Sequence, residues 1–134
     1  MSQENVDVVR GAWQAFADGG LDALTEYFDQ EINWRAMEGA VDDVGEINGR
    51  QAMRRYLQDW LDTFDNVTSA PTALLDVGDD RVLAVVHVTG RARLSGIETE
   101  LSYAIVYTLR DGRIARGREY ADLQQARKAV GLAE

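Results

Sequence analysis

The sequence predicts an α+β domain in which N-terminal helices close one face of a strongly curved antiparallel sheet. Three observations predict it. In the last third of the chain, Arg81–Arg93, Gly96–Arg110 and Arg113–Asp122 alternate apolar and polar residues as half-buried strands do. The last two runs are joined through Asp111-Gly112, the pair that best tolerates the two positive φ angles of a type I′ hairpin turn. The front half instead repeats apolar residues at helical spacing. Helices first and strands afterwards is the order of an α+β domain, not of an alternating α/β one.

The elements follow in order. Val6, Val9, Trp13 and Phe16 recur at steps of three and four and form one helical stripe. Ser2 or Asn5 is placed to cap that helix, and Gly19-Gly20 ends it. Leu21, Leu24, Thr25 and Phe28 make a second, shorter helix, and a strand follows at Glu31–Ala36. Met37–Asn48, with its acids and glycines, reads as a loop or irregular hairpin. Asn48 and Gln51 have the spacing of a capping box opening a third helix, Arg50–Phe64, whose apolar face is Met53, Tyr56, Leu57, Trp60, Leu61 and Phe64. A strand at about Ser69–Val77 precedes the three C-terminal runs, and Leu123–Gly131 is a short helical tail. The strands 81–94 and 96–110 are expected to be the longest and to pair with each other.

Alternation assigns faces. Val82, Ala84, Val86, Val88, Gly90, Ala92 and Leu94 are expected to face the helices, with Leu83, Val85, His87, Thr89, Arg91 and Arg93 turned away. In the next strand Leu101, Tyr103, Ile105, Tyr107 and Leu109 form the inner set. In the last strand Ala115, Gly117, Glu119 and Ala121 alternate with Ile114, Arg116, Arg118 and Tyr120, and parity alone leaves either set inside. Small residues suit the inside of a curved sheet, and that choice puts Glu119 among apolar groups.

Composition narrows the function classes. One hundred and thirty-four residues is the size of one domain with one core. A net charge of −9 repels phosphate backbones and anionic lipids, which argues against nucleic-acid and membrane partners. No cysteine means no disulfide, thiolate nucleophile or zinc-thiolate site, and one histidine excludes a multi-histidine metal site within one chain. No cofactor is implied. The N-terminal Met1-Ser2-Gln3-Glu4-Asn5 lacks a basic n-region, and the expected location is cytoplasmic.

Several stretches resemble a known family. They are Phe16-Ala17-Asp18-Gly19-Gly20-Leu21-Asp22-Ala23-Leu24, then Asn48-Gly49-Arg50-Gln51-Ala52-Met53, and the closing Tyr107-Thr108-Leu109-Arg110-Asp111-Gly112-Arg113-Ile114 with Glu119-Tyr120-Ala121-Asp122 and Ala126–Leu132 after it. Over essentially its whole length the chain resembles the SnoaL-like polyketide cyclase branch of the nuclear-transport-factor-like superfamily. That resemblance implies a cone of curved sheet closed by three N-terminal helices, the cystatin-like α+β barrel. The tyrosine and two aspartates of steroid isomerases of this fold map near Ala12, Ala36 and Ile105, none of which moves a proton, so that mechanism is disfavoured. The SnoaL-type cyclases imply a late-strand acid, matched by Glu119, and a histidine, whose position falls near Ile105. The Asp-Arg-Asp set of limonene epoxide hydrolases has no clean equivalent.

Glu119 is therefore the candidate catalytic residue. A carboxylate facing an apolar cavity is suited to acid–base work, and Tyr103, Tyr107 or Tyr56 can share its proton or hold a carbonyl oxygen; Tyr103 is taken as its catalytic partner. The alternative is a structural Glu119 paired with an arginine or turned outward. Trp34, Met53, Tyr56, Trp60, Val88 and Tyr107 are the candidate substrate-binding set, or else core filling the cone. His87 reads as a surface or interface residue, Glu38 as a loop acid near the cavity mouth, and Asp42-Asp43 and Asp79-Asp80 as loop acids without cation-loop spacing. Ser95-Gly96 is no nucleophile elbow, since no strand-to-helix turn follows.

Two classes of function remain open. One is a cofactor-free isomerase, cyclase, dehydratase or hydrolase acting on a small apolar molecule. The other is a non-catalytic domain that binds such a molecule or serves assembly. The outer sheet face, with Val85, His87, Thr89, Val106, Thr108 and Ile114, is expected to meet a second copy in a homodimer.

Overall fold

The computed structural model describes residues 2–37 and 45–132; Glu38, Asp42 and Asp43 lie outside the described residues. Helix α1 (Ser2–Thr25) is broken at Gly20, whose φ of 74° and ψ of −159° no helix accommodates, so its two arms are the two helices expected from Gly19-Gly20. The second arm stops at Thr25, where the Oγ1 hydroxyl donates back to the carbonyls of Leu21 and Asp22. Phe28, assigned to that helix by its spacing, instead opens strand β1 (Phe28–Arg35) and is buried in the core.

Strand β2 (Glu46–Asn48) pairs antiparallel with β1; the rest of the stretch read as a loop or irregular hairpin, residues 38–44, lies outside the described residues. Helix α2 (Arg50–Asp62) follows without the expected capping box. Its N-cap is Gly49, at φ 91°, and the Asn48 side chain accepts a hydrogen bond from Asn33 Nδ2 at 2.7 Å instead. Asn5 does not cap α1 either; it sits within the helix and its Nδ2 donates to Asp80.

Strands β3 (Phe64–Gly78), β4 (Arg81–Ala92), β5 (Glu98–Arg110) and β6 (Arg113–Tyr120) run antiparallel in sequence. β4 and β5 pair as expected, but β3, at 15 residues, is the longest. Asp111 and Gly112 both have positive φ, 54° and 76°, as the type I′ turn requires. The sheet order is β2-β1-β6-β5-β4-β3, curved and not closed on itself. One pairing departs from the antiparallel expectation: β1 lies parallel to β6, because the chain crosses by way of α2 and four strands before returning beside it. Helix α3 (Leu123–Ala129) ends the fold, with Asp122 as N-cap accepting from the Gln125 amide at 2.9 Å.

The core has two parts. The larger lies between the N-terminal helices and the inner sheet face, joining Val6, Val9 and Ala12 of α1 and Met53 of α2 to Val82, Ala84, Val86 and Val88 of β4 and Ile105, Tyr107 and Leu109 of β5. The predicted inner parity of β4 and β5 is thus realised, except that Leu94 lies beyond the end of β4 and is fully exposed in a turn. The second part lies on the outer face, where Ala126 and Val130 of the α3 segment cover Leu83, Ala104 and Val106.

The ambiguous last strand has a physical explanation. The β5–β6 register slips, with Leu109 opposite Ile114 but Thr108 opposite Arg116, so Ala115 is the extra residue of a bulge. Ile114 therefore points inward with 1 % exposure, and beyond the bulge Gly117 and Glu119 share its face. Two residues expected on the free outer face are not free there: the bulge leaves Ile114 in the inner core, and Val106, on the outer face, lies beneath the chain's own C-terminal helix.

Candidate functional site

Gly117 organises the site. It stands opposite Trp34 on β1 and Tyr107 on β5, and the Trp34 ring lies across the space its missing side chain leaves. A Cβ on residue 117 would come within 2.0 Å of Trp34 Cζ3. Lying there, the indole extends toward the next inward residue of β6, and its Nε1 donates to Glu119 Oε2 at 2.8 Å. Tyr56, from α2, donates its hydroxyl to the same oxygen at 3.1 Å. One carboxylate thus ties the neighbouring strands β1 and β6 to helix α2.

Around this carboxylate the helices and sheet leave a space of about 280 Å³. Trp13, Phe16, Leu21 and Leu24 of α1 form one wall, and Tyr56, Leu57, Trp60 and Leu61 of α2 the second. Leu101, Tyr103 and Glu119 close it from the sheet, and Met37 borders it beyond the end of β1. A deeper recess of about 70 Å³ continues toward Trp34, Met53 and Tyr107, and Tyr103 and Glu119 border both spaces. The Tyr103 hydroxyl makes no hydrogen bond among the described residues, where no buried polar side-chain atom lacks a partner, so this hydroxyl opens onto the cavity. Tyr107 is committed: its hydroxyl accepts from Trp13 Nε1 at 3.1 Å.

The phenols are held neutral. Burial raises Tyr103 well above the ordinary tyrosine value, and the charge of Glu119 adds to the effect. Tyr107 is also raised, first by burial, against the lowering effect of the Trp13 hydrogen bond. A neutral phenol beside a carboxylate offers a hydrogen-bond donor and a proton acceptor within one apolar enclosure.

The expected residues fall into place unevenly. Glu119, Tyr103, Tyr56 and Trp60 border the main cavity, while Trp34, Met53 and Tyr107 border the recess. Val88 borders neither; it is wholly buried in the core. Trp13, Phe16, Leu57, Leu61 and Leu101 were not singled out, although each was visible on an apolar stripe or inner strand face. The positions matching the isomerase machinery, Ala12, Ala36 and Ile105, are apolar and buried. His87 is on the outer face with Glu100 Oε2 at 2.7 Å from its Nε2, and Asp79 and Asp80 occupy a tight turn with positive φ. Ser95 is in an exposed turn, its Oγ accepting from the Ile97 amide. Among the described residues no group of His, Cys, Asp or Glu is placed to hold a metal ion, and no helix is long and apolar enough to cross a membrane.

Fold and site together define a class: an open α+β cone with one acid among aromatic groups on its inner face. Residues 9–117 match the model of the SnoaL-like domain, and the chain belongs to that family. A comparison with curated proteins gives no match. Among solved structures it is similar to an NTF2-like protein of unknown function from Burkholderia pseudomallei (TM-score 0.77, 15% identity, covering 96% of this chain and 98% of the other). It is similar to TerC co-crystallised with polyporic acid (0.75, 18%, 95% and 98%). RV0760c from Mycobacterium tuberculosis, in complex with estradiol-17beta-hemisuccinate, is a third (0.73, 13%, 90% and 95%). At these identities the likeness is one of fold.

Proposed function

We propose that this chain binds a small, largely apolar molecule between its helices and sheet and moves a proton on it with Glu119, as an isomerase or cyclase that needs no cofactor. The observation that carries the reading is a carboxylate within hydrogen-bond reach of a tyrosine, inside an open apolar cavity. Glu119 Oε2 accepts from both Trp34 and Tyr56, and the role proposed for this carboxylate is that of the base. Glu119 would take a proton from a carbon next to a carbonyl, while Tyr103 donates a hydrogen bond to the carbonyl oxygen as it gains charge. Returning that proton to another carbon gives an isomer; attack of the enolate carbon on a second carbonyl within the molecule forms a ring, the carbonyl oxygen taking the proton back from Glu119 as it becomes a hydroxyl. A cavity of about 280 Å³ is at the small end of ligand sites, which run from about 300 to 1,000 Å³. The presence of polyporic acid with TerC and of estradiol-17beta-hemisuccinate with RV0760c is consistent with that use of the fold.

A second reading has its own observation. Glu119 already fastens Trp34 and Tyr56, which is what a structural acid in a non-catalytic binding domain would do. Deuterium exchange into the α-positions of 2-tetralone, followed by NMR in D₂O, separates the two. The intact protein should accelerate exchange, and Glu119→Gln should lose about 10²–10⁴-fold while still binding the ketone. A variant that binds and exchanges like the parent would end the proton-transfer role; a parent that binds without accelerating exchange would leave the binding domain.

A further inference from the structure

The recess of about 70 Å³ opens off the main cavity at its reactive groups. Trp13, Leu24, Leu57, Tyr103 and Glu119 border both spaces. Glu119 and Tyr103 bring the carboxylate and the unpaired phenol to that boundary, so a ligand filling both spaces has them at its middle.

Beyond the boundary the wall is carbon. It is made by Ala12 of α1, Met53 of α2, Phe28 of β1, Ile105 of β5 and Ile114 of β6, with the rings of Trp34 and Tyr107. Phe28 and Ile114 stand opposite each other in the parallel β1–β6 pairing. Ala12 and Met53 are buried, and they border the recess but not the main cavity. The indole donors nearby are already used: Trp34 donates to Glu119, and Trp13 donates to the Tyr107 oxygen. A buried water needs about two to four polar partners, and an empty apolar space forfeits dispersion contacts, so a hydrocarbon group is the occupant these walls favour. An apolar cavity of about 150 Å³ holds one benzene ring, so this recess holds about three carbons.

We propose that the recess selects the ligand by one short alkyl arm: the molecule is a ketone whose larger apolar body lies in the main cavity and whose arm, about three carbons beyond the carbonyl, runs past Glu119 into the recess. This deepens the proton-transfer reading and rests on it. The carbonyl oxygen meets Tyr103, and the first carbon of the arm meets Glu119. Glu119 takes a proton from that carbon, the C–H electron pair passes into the enolate, and a proton exchanged with solvent returns to the same carbon. Met53 and Ala12 set the length of the arm.

The test uses four 2-naphthyl ketones, with acetyl, propionyl, butyryl and hexanoyl arms. Binding to the intact protein is read by quenching of Trp13, Trp34 and Trp60, and deuterium uptake at the first carbon of the arm by NMR in D₂O. From acetyl to butyryl, Kd should fall about fourfold per added carbon. The hexanoyl ketone should bind no more tightly than the butyryl one, and its exchange should be slower by about tenfold or more, because an arm that does not fit displaces the reacting carbon. Met53→Ala should let the hexanoyl ketone overtake the butyryl one, and Ala12→Val should move the break to a shorter arm. Leu61→Ala, at the main cavity alone, should leave the break where it is, whatever it does to overall affinity. The series on the parent protein decides even where a variant fails to fold. A Kd that is flat from acetyl to butyryl, or that keeps falling by the same factor to hexanoyl, refutes the role of the recess while the main cavity stands. A break unmoved in folded Met53→Ala and Ala12→Val refutes it too. A break without accelerated exchange in any ketone removes the proton-transfer role and leaves the recess as the selector of the arm. If no ketone binds, the cavity reading fails, and this proposal with it.

Discussion

Gly117→Ala tests the keystone of the site. The added Cβ would sit 2.0 Å from Trp34 Cζ3 and 2.1 Å from Cε3, so the indole must retreat by about 1.4 Å to reach an ordinary 3.4 Å contact. Trp34 is 4 % exposed and meets Tyr107 edge-on with ring centroids 5.8 Å apart, which leaves little room behind it. The bond from its Nε1 to Glu119 is 2.8 Å, so a displacement of that size in most directions breaks it. Overpacking typically costs about 1–3 kcal/mol, and a hydrogen bond to a charged group contributes about 1.5–3 kcal/mol. The two overlap, because one movement relieves the clash and breaks the bond, and the expected loss is about 2–4 kcal/mol. Urea unfolding followed by circular dichroism measures it. In a Trp34→Leu background the same alanine should cost at least about 1 kcal/mol less, since the atoms it strikes are gone. A Gly117→Ala protein within about 0.5 kcal/mol of the parent, or an equal cost in both backgrounds, would refute the reasoning.

The two shifted phenols set an alkaline limit. Their folded pKa values are raised above the unfolded value near 10, so their stabilisation is complete below about pH 10 and is lost as pH rises through the folded range. Each should steepen the fall in stability by about 1.4 kcal/mol per pH unit there, and Tyr107→Phe should remove one share from urea midpoints taken at pH 9, 10 and 11. Asp122→Ala removes the N-cap of α3 and should cost about 1 kcal/mol, read as a lower urea midpoint. We also propose a homodimer through the part of the outer face that α3 leaves open, around Val85, His87 and Thr89. Light scattering at about 50 µM, a concentration at which even micromolar association is evident, should give twice the monomer mass, and a monomer there would count against it.

Much of the fold was legible because alternation and helical spacing report burial directly. The inner sets of β4 and β5 followed from parity, and the Asp111-Gly112 turn from its backbone demand. The departures occur where a local pattern is outweighed by a distant contact. Asn48 has the spacing of a cap, but Asn33 on the neighbouring strand takes its side chain, and Gly49 at positive φ starts the helix instead. The parallel β1–β6 pairing joins residues 28–35 to residues 114–118, a separation no local window spans. The bulge at Ala115 has no signature of its own, since it reverses parity within one strand and makes both readings half right: Ile114 from one set and Gly117 and Glu119 from the other point inward.

That bulge also explains why the site was only partly visible. Strict alternation from Ile114 would have turned Glu119 outward; one extra residue turns it in, beside a glycine that admits the Trp34 ring. The same slip sends Arg116 and Arg118 to the outer face, with Arg35 across from them on β1. A strand of eight residues thereby places a carboxylate on one side of the sheet and guanidiniums on the other. Removing the bulge by deleting Ala115 should exchange those faces only by breaking the Leu109–Ile114 pairing at the hairpin end or the Trp34–Gly117 contact at the site. The deletion is therefore expected to cost stability first, and any folded remnant should lose the Trp34–Glu119 bond, read as a shift in tryptophan emission. A fully stable deletion variant with unchanged emission would show that the site does not depend on this slip.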